Sequence, residues 1–204
     1  MKHLIFAALG LILITESCQE RQPLPIIGNM DVTPAGDTIY PVIRDFSFIN
    51  QDSQIVTNQD LLGKVTIADF FFTSCPSICP IVKKQELRVY DRFDNYPDLK
   101  LVSFTIDPKR DTPERLHLYA QNLGADPQRW IFLTGSKDEL HAISKDYVSI
   151  VLEDPDAPGG FDHSGRLILV DKNAHVRSFC NGTDPKEVDR FMEDVQWLLD
   201  EGGK

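Results

Sequence analysis

Val65-Thr66-Ile67-Ala68-Asp69-Phe70-Phe71-Phe72-Thr73-Ser74-Cys75-Pro76-Ser77-Ile78-Cys79-Pro80 is the stretch whose reading decides the fold. Nearly every side chain across 65–72 is apolar, as expected of a strand covered on both faces, so this run predicts the central strand of an α/β sheet. The segment after Pro80, to about residue 93, reads as a helix. The two cysteines therefore stand at a strand-to-helix junction, where unpaired N–H groups and the positive end of the helix favour thiolate. Thiolate is the form that binds soft metals and attacks disulfides, so one stretch narrows the function to metal binding or thiol redox chemistry.

Upstream, 46–49 and 54–57 flank Asn50-Gln51-Asp52-Ser53 and read as a small hairpin. Downstream, 99–106 is a second buried strand ending at Asp107-Pro108. Thr112-Pro113-Glu114 is a helix start with a hydroxyl cap, proline in the first turn and a carboxylate at the positive end; Gly124 closes that helix. A strand at 130–134 is followed by Ser136-Lys137-Asp138-Glu139, with capping-box spacing, and a helix to about 146. A short strand is expected at 147–152, then an acidic Pro/Gly-rich loop over 153–161. A hairpin at 166–171 and 176–179 turns across Lys172-Asn173. Asp184-Pro185 opens a final helix carrying Val188, Phe191, Met192, Val195, Leu198 and Leu199 on one face. The chain has no internal repeat. Strands alternating with helices, closed by a hairpin and a helix, predict a three-layer α/β sandwich. The order is thioredoxin-like, with an N-terminal hairpin and insertions, over residues 41–204.

The chain has 204 residues, 42% of them hydrophobic and 25% charged, which suits one domain plus a tail. A formal charge of −10 argues against nucleic-acid binding, which needs a basic stripe. Met1-Lys2-His3 followed by an apolar run over 4–14 has the form of a secretory signal and is too short for a comfortable membrane span. Ser17-Cys18 resembles the end of a bacterial lipoprotein cleavage site, which makes Cys18 the expected lipidated residue of a signal spanning 1–18. Thr15 and Glu16 depart from the commonest form of that site, which leaves plain cleavage or an uncleaved anchor as alternatives. Export implies a compartment where disulfides form. Residues 19–40 hold three prolines and two glycines with little periodicity and read as an extended tether.

Five positions in the domain stand out chemically. If the segment between Cys75 and Cys79 is helical, an i, i+4 spacing lets their sulfurs share a metal ion or close a disulfide. With no second cysteine cluster a closed zinc site is disfavoured, and two thiolates favour Cu(I). The plain alternative is an inert disulfide stapling the loop. His163, in Phe161-Asp162-His163-Ser164-Gly165, lies where a side chain can reach over neighbouring strand ends, although a histidine there is more often a surface residue. Asp107 ends a strand at the sheet edge where sites collect in open α/β folds, and it could equally cap the following turn. Cys180 reads as a small buried core residue, with an exchange partner as the alternative. His3, His117, His141 and His175 read as solvated.

Phe71-Phe72-Thr73-Ser74-Cys75-Pro76-Ser77-Ile78-Cys79-Pro80, then Thr105-Ile106-Asp107-Pro108 with Asp111-Thr112-Pro113, then His163-Ser164 leading into Leu167-Ile168-Leu169-Val170-Asp171, resemble the Sco/SenC family over 45–199. The loop ending Ala157-Pro158-Gly159-Gly160-Phe161 looks like the Bacteroidetes members, some of them lipoproteins. The resemblance implies copper binding through Cys75, Cys79 and His163, with Asp107 beside the site. It implies a metallochaperone that helps build the copper A centre of cytochrome c oxidase. The partner would be the copper-site subunit of a terminal oxidase or another copper protein, met by a chain anchored to the membrane and facing the periplasm. Cys180-Asn181, ahead of Gly182-Thr183-Asp184-Pro185, departs from an aromatic residue common in relatives. The rival is a thiol–disulfide oxidoreductase, with Cys75 attacking and Cys79 resolving. Such enzymes use two residues between the cysteines and a cis-proline where this chain has Asp162-His163-Ser164.

Overall fold

A computed structural model describes residues 22–154, 156–157 and 160–201, with positions 162 and 163 described through their backbone. The expected signal 1–18, its Cys18 and residues 19–21 lie outside the described residues. In the arm, β1 (Asp31–Val32) and β2 (Thr38–Ile39) pair as an antiparallel hairpin. Next come β3 (Ser47–Asn50), β4 (Ile55–Thr57), β5 (Val65–Phe71), α1 (Cys79–Arg92), β6 (Leu99–Thr105) and α2 (Pro113–Leu123). The chain continues through β7 (Trp130–Thr134), α3 (Lys137–Ser144), β8 (Val151–Glu153), β9 (Phe161–His163), β10 (Arg166–Val170), β11 (Val176–Asn181) and α4 (Pro185–Glu201).

Seven strands form one sheet in the order β11-β10-β5-β6-β7-β3-β4. β5, β6 and β7 are parallel, as helical crossovers require, and the outer strands run antiparallel. β5 pairs with β6 over its whole length, from Val65↔Leu99 to Phe71↔Thr105, and all seven of its residues are buried. Alternation sends Phe70 and Phe71 to opposite faces. Phe71 meets Tyr119 of α2 and Phe132 of β7, with ring centroids 5.4 and 5.7 Å away. Phe70 stacks on Phe104 at 5.2 Å, and both lie against Tyr147. The result is the expected three-layer sandwich with a core on each side of the sheet.

α1 is held to its face by a charged group as well as by apolar contact. Lys83 and Glu86 are buried, as is Asp69 on the sheet beneath. Lys83 Nζ donates to Asp69 Oδ2 and Ser103 Oγ, each at 2.8 Å, lies 2.7 Å from Glu86 Oε2, and sits 4.4 Å from the Phe71 ring centroid. One ammonium faces two carboxyl groups away from water, which favours retention of a proton by one of them. Burial and the neighbouring Asp69 push Glu86 from the ordinary 4.5 up to about 8, against the pull of Lys83.

Three local expectations differ from the structure. Ser136 precedes α3 without a side-chain cap, so its spacing to Glu139 is not used. The strand expected from 147 begins only at Val151, because Tyr147 buries its ring in the core and Val148 turns the chain at φ 53°. The arm is docked as well as extended: Ile27 N–H donates to Val176 O at 2.8 Å, Ile43 N–H to Ala174 O at 3.0 Å, and Arg177 reaches Leu24 O.

Glu86 makes stability pH-dependent in a defined direction. Between the unfolded value near 4.5 and about 8, the native state binds more protons than the unfolded chain, so stability falls as pH rises. Urea unfolding from about pH 5.5 to about pH 8 should show a loss on the order of 3 kcal/mol from this group. Glu86→Gln should remove that part of the slope, and an unchanged slope in the variant would contradict the assignment.

Candidate metal centre

Where β5 leaves the sheet, the chain makes a tight turn before α1. Cys75 N–H donates to Phe72 O at 3.2 Å, and Val82 N–H to Ile78 O at 3.0 Å, which places Cys79 at the first helical position. Pro80 comes next in the first turn, where its missing N–H costs no intrahelical bond. The helix start has no side-chain cap, so its donors are available to the sulfur beside them.

Cys75 and Cys79 are both buried and both thiols rather than half-cystines. Burial pushes the Cys75 thiol up, but the N–H groups of Cys79 and Ser77, together with their side chains, outweigh it and hold Cys75 below the ordinary thiol value. Ser77 Oγ lies 3.7 Å from its sulfur. Cys79 behaves oppositely: burial raises it strongly, its thiol neighbour adds to this, and the Phe72 backbone and Lys83 only partly offset it. The two thiols are thus unequal, Cys75 the more readily ionised and Cys79 the less. Both line a groove of about 340 Å³ between α1 and α2, walled by Phe72, Pro80, Tyr119 and Leu123.

β9 pairs antiparallel with β8, with Val151 opposite His163. Two residues before His163, the Phe161 ring lies 5.3 Å from that of Phe72, in the turn leading to Cys75. Two residues after it, Gly165 is so close to the helix start that a Cβ there would lie 3.1 Å from Ile78 Cδ1. Gly165 has φ 57°, and its carbonyl accepts from Gly182 N–H at 2.9 Å. The backbone at 163 is therefore bracketed by two positions seated on the segment that carries both thiols. Among the described residues, no three His, Cys, Asp or Glu side chains converge into a metal-holding set.

The remaining candidates separate. Asp107 sits at the same sheet edge, and its carboxylate accepts from Arg110 Nη1 at 2.7 Å, as a turn residue would. Cys180 is buried on β11 opposite Leu167, and burial pushes its thiol up to about 12, as fits the core reading. His117 and His175 are half-buried rather than solvated, with Nδ1 3.0 Å from Asp52 Oδ1 and 2.8 Å from Pro41 O respectively. His141 departs from the solvated expectation in the same way: it is half-buried, with Nε2 3.2 Å from Ile106 O and its ring against Phe161 of β9. Asp111 enters the sequence reading only within the Asp111-Thr112-Pro113 block and with no role of its own, yet it is fully buried and binds Thr73. Its signal was a carboxylate two residues before a helix-starting proline.

The sequence profile of the SCO1/SenC family matches residues 35–200. The chain belongs to the SCO1/SenC family. Among solved structures, it resembles a SCO1/SenC family lipoprotein from Bacillus anthracis (31% identity, TM-score 0.70, covering 77% of this chain and 94% of that one). It also resembles BsSco, a member of the Sco family of cytochrome c oxidase assembly proteins in which a disulfide switch was identified (28%, TM-score 0.68, 78% and 93%). A third is Arabidopsis thaliana ScoI with copper bound (28%, TM-score 0.64, 76% and 99%). These likenesses bear out the thioredoxin-like sandwich of this SCO1/SenC chain.

Two glycines separate conformational strain from lack of space. Gly63 and Gly165 both have positive φ, but only Gly165 has side chains where a Cβ would go. Gly63→Ala should cost about 1 kcal/mol from backbone conformation, and Gly165→Ala should cost more because Ile78 must also shift. Equal urea midpoints for the two variants would contradict the close seating of 165 on the thiol segment.

Proposed function

We propose that this SCO1/SenC protein carries copper as cargo on Cys75, Cys79 and His163 and passes it to a copper-site subunit of a terminal oxidase. The reading is carried by the bracketing of position 163 between Phe161 on Phe72 and Gly165 on Ile78. Copper-bound ScoI from Arabidopsis, of the same fold, supports it. The description of BsSco as one of a family of cytochrome c oxidase assembly proteins supports the choice of partner.

The chemistry is set by the donors. Two sulfurs and an imidazole suit three-coordinate Cu(I) and can also accept Cu(II). Loading needs both sulfurs as thiolates: Cys75 is already inclined to ionise, and Cys79 releases its proton to solvent as the metal takes its sulfur. Loss of two electrons to an external acceptor would join the sulfurs as a disulfide, removing both ligands and releasing the metal. The same inequality between the thiols would serve a thiol–disulfide exchange step, with Cys75 attacking and Cys79 resolving. Asp107, beside this edge, would act through the turn and Arg110. Export by the segment 1–18, with lipid on Cys18, would hold the 41–204 domain at a membrane surface through the 19–40 arm, facing the periplasm.

Anaerobic titration of the reduced soluble domain should reach one copper per chain, with a sulfur-to-copper charge-transfer band in the Cu(II) form. Cys75→Ser or Cys79→Ser should abolish tight binding, and His163→Ala should weaken it by about tenfold or more. One tightly held copper after either cysteine change would refute the ligand set.

A further inference from the structure

Thr73, two residues before Cys75, is held by a single buried carboxylate. Its N–H donates to Asp111 Oδ2 at 3.0 Å and its hydroxyl donates to Asp111 Oδ1 at 2.5 Å. That hydroxyl accepts from Arg115 Nε–H at 2.6 Å, which leaves Arg115 Nε 3.6 Å from Asp111 Oδ1. From the other side, the Thr105 hydroxyl at the end of β6 donates to Asp111 Oδ2 at 2.6 Å and accepts from Asp107 N–H at 3.0 Å. Asp111 N–H returns to Asp107 O at 2.9 Å. One fully buried side chain thus ties together the end of β6, the turn after it and the turn that carries Cys75.

We infer that Asp111 is a positioning residue for the thiol site, fixing through Thr73 the turn that aims Cys75 at Cys79. The inference rests on the copper reading of the pair. A buried carboxylate is tolerated only while its oxygens are met by donors, and two of the three nearest donors here belong to Thr73. The Thr73 turn therefore cannot shift without stranding Asp111, which lends the turn the rigidity of the sheet. From Thr73 the chain reaches Cys75, whose N–H is itself tied back to Phe72 O. Asp107 works differently. Its carboxylate pairs with the exposed Arg110, and its hold on the turn is through backbone N–H and C=O. The residue of the Asp107–Asp111 turn that reaches the thiol segment through its side chain is Asp111.

Asn at 111 keeps the shape but offers an NH₂ where a hydroxyl must donate. Two measurements on Asp111→Asn test the inference. In the reduced, metal-free protein, amide hydrogen exchange over 72–79 should speed up at least tenfold. Competition with a Cu(I) chelator should show copper held 10- to 100-fold more weakly, in the range found when groups orienting a metal ligand are removed. Thr73→Val should reproduce both effects and Thr73→Ser should restore both. Val195→Ala, in α4 away from the site, gives a destabilised control that should change neither. Asp107→Asn should lose less copper affinity than Asp111→Asn. If the unaltered protein binds no copper, the copper reading falls, while the exchange data still report on the turn. If it binds copper and Asp111→Asn leaves both exchange and affinity unchanged, or Val195→Ala matches its effects, the positioning role is overturned.

Discussion

Burial of β5 on both faces is the constraint on which the rest depends. Its seven residues pair in register with β6 and lie among rings on either side, so none can present chemistry from within the strand. Reactive groups appear only where β5 runs out, at the C-terminal edge of the parallel strands, and there the chain enters α1 at once. That edge supplies three things together: N–H donors of a helix start, the Asp107–Asp111 turn from the end of β6, and the strand that carries His163. None depends on a large local stretch of sequence. Each depends on β5 and β6 ending level with one another.

The site sits above an unusual core. Lys83, one helical turn after Cys79, is buried among Phe71, Trp130 and Phe132 and between two carboxyl groups. A buried ion pair of this kind is a weak source of stability, because desolvation offsets most of the attraction. It does fix the rotation of α1 on the sheet, since another face of the helix would strand the charges. Cys79 and Pro80 are thereby held to one side, facing the groove shared with α2. The positive charge of Lys83 also partly offsets the cost of ionising Cys79.

The sandwich and the succession of its elements along the chain were legible because the decisive segments are strongly patterned: an apolar run for β5, proline and threonine opening α2, Gly124 in the left-handed conformation closing it. Cys75, Cys79 and His163 were legible as residue types joined by a resemblance, since spacing alone left metal, redox and structural readings open. Asp69, Glu86 and Asp111 were not legible. A carboxylate looks the same in sequence whether solvated or buried, and each of these becomes informative only through a distant partner. His141 was read as solvated for the same reason: its neighbour Phe161 lies on a strand that forms only by pairing with β8. The arm shows the limit of local pattern too, because Ile27 and Ile43 are placed by the edge of β11 and its turn, far along the chain.

Sulfur and nitrogen differ enough as scatterers for copper to report its own ligands. X-ray absorption of the Cu(I)-loaded domain should show two sulfurs and one nitrogen, with the nitrogen lost in His163→Ala and the pair of sulfurs unchanged in Cys180→Ser. A copper bound by sulfur alone in the unaltered protein, or a nitrogen that survives His163→Ala, would show that the strand at 163 does not complete the site.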